Sequence, residues 1–212
     1  STSSVKRSMD SVNSVFNLAN QEQLLGLDNP CASLRYRKQE SKERLAISVE
    51  HIAKIQLLCR EFDDDMRWLI VLISDTGLRL GEAAGLERRH VDLSREMPHL
   101  VIEETDNRRL KTKTSKRRVP LVGAALWAAR KAVESSLHNN TSFLFPRYNK
   151  QATTNSGSAS NGLNKWMKEH IPPQCVLHGF RHAMRDRLRE VDCPADVMDE
   201  IVCTPPCVGH RP

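Results

Sequence analysis

Histidine and arginine residues recur on one side of a predicted helix near the end of the chain. The spacing over residues 178–191 favours a helix. Turning 100° per residue from His178 places the basic side chains between about −60° and +40°. They are Arg181, His182, Arg185 and Arg189. A histidine and an arginine at i and i+3 can donate hydrogen bonds to one phosphate group. A solvated charged face is the alternative interpretation of the same pattern.

A second basic candidate lies in the segment DTGLRLGEAAGL, residues 75–86. Arg79 follows an apolar run and Gly77, and Glu82 comes three residues later. On a helix, a carboxylate at this spacing can fix the direction of a guanidinium group and leave its other N–H groups for a ligand. This role requires Arg79 to be only partly exposed, whereas a surface ion pair is the alternative.

Lysines form the third basic element, in the segment LKTKTSKRRVPL, residues 110–121. A strand–turn–strand that presents Lys111 or Lys113 can bring an ammonium group to a phosphate. There the lysine can neutralise developing charge or protonate a leaving oxygen. Lysines at a turn also serve simply to keep a surface soluble, and that interpretation stays open.

Composition favours a polyanionic partner for these cations. The 212 residues carry 32 Lys and Arg against 26 Asp and Glu, a formal charge of +6, and 39% are hydrophobic. A domain with a core is therefore possible, and nucleic acid is the first partner to consider. The longest apolar run, residues 68–73, is far shorter than the roughly 20 residues of a membrane span. The opening STSSVKRSMD has no apolar signal segment, and the six cysteines are too sparse for a disulfide scaffold, so we expect a cytoplasmic protein.

The elements that would position these residues are mostly helical. Apolar periodicity predicts helices over 48–62, 64–76, 123–137, 163–170, 178–191 and 194–202, with Gly77 ending the second. Short strands are predicted in HVDL, HLVIEET and RRVPLV, and residues 149–162 are typical of a loop. The expected fold class is α+β, mainly α with a small antiparallel sheet. Residues 1–30 contain a separate helical pattern, and residues 31–47 have the composition of a linker.

Three of these segments together resemble the tyrosine recombinases, the phage-integrase family of site-specific DNA recombinases. They are TGLRLGEAAGL, KTKTSKRRVPL and LHGFRH, in the family's order. The resemblance covers roughly residues 48–202 and implies that 48–212 form a catalytic domain with the fold of the family's DNA breaking–rejoining enzymes. It also implies that residues 1–30 are the last helix of a mostly absent N-terminal core-binding domain.

The resemblance implies a role for each matching residue. Arg79 and Arg181 would hold the non-bridging oxygens of the scissile phosphate, and His178 would share in phosphate contact and proton transfer. Glu82 would be a supporting residue. Lys111 fits the hairpin lysine best, with Lys113 as the alternative. Residues expected to contact DNA beside them are Lys113, His182 and Arg185.

The end of the chain departs from the family's pattern. Thr204 stands where a second histidine or a tryptophan is expected, and His210 is a displaced candidate for that role. The family's tyrosine nucleophile would fall beyond the last residue, and neither Tyr36 nor Tyr148 is in its place. Truncation at the C-terminus, a degenerate prophage copy or an altered reading frame would each explain this.

Double-stranded DNA is the partner that the resemblance implies, with a homo-oligomer, a tetramer, on DNA when the protein is intact. The family's reaction passes through a 3′-phosphotyrosine intermediate and needs no metal or other cofactor, and no small-molecule substrate or membrane is expected. The spacing of Cys193, Cys203, Cys207 and His210 matches no compact zinc site. A DNA-binding regulator that does not cleave, and an unrelated helical protein with a basic surface, remain as alternatives.

Overall fold

A computed structural model describes residues 2–23, 26–32, 47–105, 116–150 and 153–202. The chain divides into two units, Ser1–Glu43 and Arg44–Pro212. The first unit contains helix α1 (Thr2–Glu22), which follows the periodic apolar residues of that segment. Its apolar side chains are exposed in part, as Val15 is 68% accessible.

The second unit carries the candidate residues. Its helices are α2 (Val49–Phe62), α3 (Asp65–Thr76), α4 (Leu80–Ala84), α5 (Gly123–His138), α6 (Ser156–Met167), α7 (Gly179–Glu190) and α8 (Ala195–Val202). Its strands are β1 (Val91–Asp92), β2 (His99–Ile102), β3 (Arg117–Pro120), β4 (Asn149–Lys150) and β5 (Thr153–Thr154). The prediction of a mainly helical domain with a small antiparallel sheet is confirmed.

Helix α3 lies at the centre of the core. Asp64 caps it by accepting a hydrogen bond from the N–H of Arg67 at 2.9 Å. Residues 69–73 are each at most 1% exposed, and the helix packs against α2, α5 and α7. A helix that is apolar nearly all round is stable only where other elements surround it, which explains this central position.

Gly77 ends α3 and lets α7 come close. Its φ is +61°, and its N–H donates to the carbonyl of Ile73 at 2.9 Å, which is a left-handed helix end. A Cβ at this position would lie 3.1 Å from Cβ of Met184 on α7. Glycine suits both this backbone angle and this close contact. Gly77 therefore sets the direction in which the chain continues to Leu78 and Arg79.

The variant Gly77→Ala should therefore destabilise the domain by about 1–3 kcal/mol, because an L-residue is strained at positive φ and its methyl group would press on Met184. Urea unfolding followed by circular dichroism measures this loss. The matched control is Gly162→Ala in α6, where the new methyl group would meet Met66 at 3.8 Å, an ordinary contact. The control should be neutral or more stable by up to about 1 kcal/mol; equal stability of the two variants would contradict the account.

Two small antiparallel sheets flank the helices. Strands β1, β2 and β3 pair in that order, with Leu100 opposite both Val91 and Val119. Arg117 and Val119 of β3 are buried and Arg118 is exposed, which is the alternation of a strand with one face on the core. Strands β4 and β5 form the second sheet.

Helix α6 begins earlier than its composition predicted. The loop expected over 149–162 contains β4 and β5, and from Ser156 it is helical. Asn155 caps the helix by accepting from the N–H of Ser158 at 2.9 Å. Ala159 and Leu163, four residues apart, are fully buried. Packing of this apolar face outweighs the low helix propensity of the serines and glycines around it.

Asp75, near the end of α3, joins three helices. One carboxylate oxygen accepts from the N–H of Ala124 at the start of α5 at 3.2 Å. The other accepts from Nη1 of Arg187 on α7 at 3.1 Å. These bonds hold α5 and α7 against the end of α3, from which the chain continues into α4.

Candidate functional site

Arg79 is held at the start of α4 by Glu82. Its backbone N–H donates to Oε2 of Glu82 at 3.0 Å, and its Nη1 donates to Oε1 at 2.7 Å. The Arg79 side chain is 25% exposed and that of Glu82 only 5%. The pair is therefore not a loose surface pair: the carboxylate is buried, and the guanidinium group lies at the edge of the core with one side toward solvent.

Glu82 has a second arginine partner that the sequence analysis did not assign to it. Nη2 of Arg117, on β3, donates to Oε2 at 2.9 Å, and the Arg117 side chain is 2% exposed. Nε of Arg117 donates to the carbonyl of Ile201 in α8 at 3.1 Å. The alternation of the strand RRVP could have indicated that Arg117 is buried, since Arg117 falls on the same face as the apolar Val119.

The two arginines keep Glu82 charged. Burial alone would raise the pKa of the Glu82 carboxyl group, but the hydrogen bonds and positive charge of Arg117 and the hydrogen bonds from Arg79 outweigh burial and lower that pKa below its usual 4.5. A buried carboxylate that stays ionised can accept hydrogen bonds from both arginines at neutral pH, so the arrangement is fixed before any ligand arrives.

Acid should weaken the fold through this group. Because the folded pKa of Glu82 lies below the unfolded value near 4.5, its stabilising contribution is complete above pH 4.5 and is lost as the pH falls through the folded pKa. We expect the free energy of unfolding of the wild type to fall more steeply on the acid side than that of Glu82→Gln, which cannot titrate. Urea unfolding across the acid range measures both slopes, and parallel slopes would refute a lowered pKa.

Arg181 reaches the same region from α7. Its Nη1 donates to the carbonyl of Gly77 at 2.8 Å, two residues before Arg79, and Arg181 is 8% exposed. The sequence predicted Arg181 at the edge of the basic face of the helix, about −60° from His178. Its burial follows from that border position and brings a guanidinium group against the turn that precedes α4.

His178 stands at the start of α7 and is exposed. It lines a cavity of about 260 Å³ together with Leu78 and Leu80, which flank Arg79 in the chain. The starts of α4 and α7 thus border one cavity. The predicted residues Arg79, Arg181 and His178 are brought to this region from positions about 100 apart in the sequence.

Two further predicted residues lie on α7. His182 is exposed, and its ring is nearly perpendicular to that of His178, with the ring centroids 5.0 Å apart. Arg185 is half-buried and its Nη2 donates to Oδ1 of Asp199 on α8 at 3.2 Å. His182 therefore extends the exposed edge that His178 begins, whereas Arg185 ties α7 to α8.

Several predicted residues lie outside the described part of the chain. They are Lys111, Lys113, His210, and Cys203 and Cys207 of the zinc alternative. Of the two tyrosines, Tyr36 lies outside it as well. Tyr148 is 5% exposed, and burial raises the pKa of its hydroxyl group. Within the described ranges, no three His, Cys, Asp or Glu side chains are grouped closely enough to hold a metal ion.

The arrangement suits an anionic group. The guanidinium groups of Arg79 and Arg117 are fixed against the Glu82 carboxylate, and that of Arg181 is fixed against the turn that precedes Arg79. The exposed ring of His178 borders the same region. Positive charge is in excess, and it is held by bonds within the protein. Such donors stabilise an anion without reorganising when it binds.

Comparison with known proteins agrees with this geometry. The sequence model described as the phage integrase family matches residues 48–202. No curated protein matches the chain. Over the part that the structure describes, no helix has both the length and the apolar composition of a membrane span.

Solved structures share the fold. A structure of the Tn1549 transposon integrase in complex with circular intermediate DNA matches with a TM-score of 0.65 and 15% identity, over 98% of this chain and 73% of that one. A lambda integrase dimer bound to a core site gives 0.61 and 16%, over 95% and 69%. A lambda integrase tetramer bound to a Holliday junction gives 0.62 and 16%, over 96% and 59%. Since the family model spans most of the sequence and the fold is shared with these integrases, the chain belongs to the phage integrase family, the tyrosine recombinases.

Proposed function

We propose that residues 48–212 are the catalytic domain of a site-specific DNA recombinase, with residues 1–30 as the last helix of a core-binding domain and 31–47 as the linker. The observation that carries the proposal is the bond from Nη1 of Arg181 to the carbonyl of Gly77, because it brings the second arginine against the turn that positions the first. Two arginines held in this way can grip the two non-bridging oxygens of one phosphodiester.

In the proposed reaction, Arg79 and Arg181 bind the scissile phosphate. A tyrosine hydroxyl gives up its proton and attacks phosphorus, the bond between phosphorus and the 5′ oxygen breaks, and a 3′-phosphotyrosine and a free 5′ hydroxyl result. The pentacoordinate transition state carries more negative charge than the ground state, so rigid cations lower the barrier. His178 contacts the phosphate and accepts the proton of the tyrosine hydroxyl, and Glu82 supports Arg79.

The remaining proton-transfer role falls on the hairpin lysine. Lys111, or Lys113 in its place, would protonate the leaving 5′ oxygen. Lys113, His182 and Arg185 are proposed to contact DNA beside the site, and His210 to take the second-histidine role. No metal or other cofactor enters this scheme, since the arginines supply the positive charge and the lysine the proton.

We propose that this chain by itself binds double-stranded DNA without cleaving it. Tyr148 cannot attack a phosphate from its buried position, and Tyr36 precedes the catalytic domain. A tyrosine supplied beyond residue 212 would complete the site. By analogy with the lambda integrase tetramer on a Holliday junction, the complete protein would act as a tetramer on DNA, in the cytoplasm of a cell carrying a prophage.

The test is covalent trapping. Duplexes that bind the chain are selected from a random pool, nicked, and incubated with the chain alone and with a chain extended by a C-terminal segment that contains a tyrosine. We expect a protein–DNA adduct on a denaturing gel only with the extended chain, and none when the added tyrosine is phenylalanine. An extended chain that binds these duplexes and forms no adduct would overturn the catalytic assignment.

The second candidate is a DNA-binding regulator that binds phosphate through Arg79 and Arg181, the phosphate clamp, and catalyses no reaction. The burial of Tyr148, the one tyrosine that lies within the described catalytic unit, is the observation that favours it. It predicts specific DNA binding and no adduct in either form of the chain.

A further inference from the structure

Arg117 is the most deeply buried of the three arginines at the site. Its side chain is 2% exposed, so it cannot itself lie against a DNA backbone. Its Nη2 donates to Oε2 of Glu82 at 2.9 Å, and its Nη1 lies 3.5 Å from Oε1. The fork of the guanidinium group therefore faces the two oxygens of the carboxylate that also holds Arg79.

Each oxygen of Glu82 is used by both neighbours. Oε2 accepts from the backbone N–H of Arg79 at 3.0 Å as well as from Arg117. Oε1 accepts from Nη1 of Arg79 at 2.7 Å. A rotation of the carboxylate would lengthen these bonds together. The direction of the Arg79 guanidinium group consequently depends on how Arg117 holds Glu82.

The third donor of Arg117 reaches the end of α8. Its Nε donates to the carbonyl of Ile201 at 3.1 Å, and Ile201 is the next-to-last residue of the helix. Carbonyls in a last helical turn have no intrahelical N–H partner, so this bond satisfies one of them. Helix α8 also packs against β3, the strand that carries Arg117. One side chain thus contacts both the carboxylate behind Arg79 and the end of α8.

We propose that Arg117 is a positioning residue that couples the C-terminal end of α8 to the direction of Arg79, through Glu82. This coupling rests on the proposed function in one respect, namely that Arg79 binds a DNA phosphate. A displacement of the end of α8 pulls on Nε of Arg117, turns the Glu82 carboxylate and redirects Arg79. The site is fully aligned only when the end of α8 is in place.

The first arm of the test needs no DNA. The side-chain Nε–H signal of Arg79 is followed by NMR in the wild type, Arg117→Met and Arg117→Lys. We expect it to shift toward the position of a free arginine in Arg117→Met, with a partial return in Arg117→Lys, since lysine restores the charge beside Glu82 but not the fork. The control is Arg67→Met, which removes another mostly buried arginine that is paired with an aspartate, Asp64. An unchanged Arg79 signal in folded Arg117→Met would overturn the proposal.

The link to α8 is tested by a cycle with Val202→Ala, which loosens the buried last residue of that helix. In the wild-type background this change should move the Arg79 signal, and in the Arg117→Met background it should have no further effect. An equal shift in both backgrounds would show that α8 acts on Arg79 by another route, against the proposal. Arg117→Lys serves as the background if Arg117→Met does not fold.

The second arm measures DNA affinity for Arg79→Ala, Arg117→Met and the double variant. If Arg117 acts through Arg79, each single change weakens binding by a similar factor, roughly tenfold, and the double variant binds no more weakly than Arg79→Ala. If the factor by which the double variant loses affinity equals the product of the two single factors, Arg117 does not act through Arg79 and serves only the fold. If Arg79→Ala leaves affinity unchanged, the proposed function fails, and the NMR arm still decides the coupling.

Discussion

The double variant Arg79→Ala, Arg181→Ala should bind duplex DNA at least roughly 100-fold more weakly than the wild type at physiological salt. Each arginine is proposed to make charge-assisted hydrogen bonds to phosphate, worth about 1.5–3 kcal/mol. The plot of log affinity against log salt should also become shallower by about one counterion, because both arginines are proposed to neutralise the same phosphate. Fluorescence anisotropy of a labelled duplex over a salt series gives both numbers.

The control for this prediction removes the same charge elsewhere. Arg60 and Arg130 are exposed residues on α2 and α5, and their double alanine variant should lose only the weak general attraction of the net charge. Since Arg181 also donates to the carbonyl of Gly77, Arg79→Ala with Arg181→Lys is measured beside it to separate binding from folding. Equal losses of DNA affinity in the site variant and the control variant would mean that the domain binds DNA through its overall charge alone.

Glu82→Ala should be among the most destabilising single changes in the domain, with a loss of about 3–5 kcal/mol in the free energy of unfolding. The Arg117 side chain is 2% exposed, and this substitution removes the carboxylate that neutralises its guanidinium group. Removing one partner of a buried ion pair costs this much because the remaining charge stays buried and uncompensated. Urea unfolding at neutral pH measures the loss.

Glu134→Ala is the matched control, because Glu134 is an exposed glutamate on α5. It should change the free energy of unfolding by no more than about 0.5 kcal/mol. Glu82→Gln should fall between the two, since an amide keeps a hydrogen-bond acceptor for Arg117 but not the charge. A Glu82→Ala protein as stable as the control would show that Arg117 finds another partner and does not depend on the buried carboxylate of Glu82.

Local spacing predicted the parts of the site that lie within one helix. The i, i+3 pair of Arg79 and Glu82 was readable because both residues belong to one turn of chain. The partner of Glu82 on the other side, Arg117, lies 35 residues away, and the partner of Arg181, the carbonyl of Gly77, lies 104 away. No periodicity specifies such contacts, because packing of distant elements creates them.

The same limit explains the errors in element boundaries. Residues 156–162 have the composition of a loop, yet Ala159 and Leu163 pack into the core and the segment is helical. The helix predicted over 178–191 ends at Glu190, and Val191, which follows it, is 72% exposed. Helix ends depend on caps and packing that a hydrophobic pattern does not contain.

The most direct test of the phosphate clamp is an NMR titration of the chain with a short duplex, following the Nε–H signals of Arg79 and Arg181 and the ring signals of His178. We expect all three signals to shift together and to saturate at the DNA concentration that saturates binding. DNA binding that moves signals on other surfaces and leaves these three unchanged would contradict it.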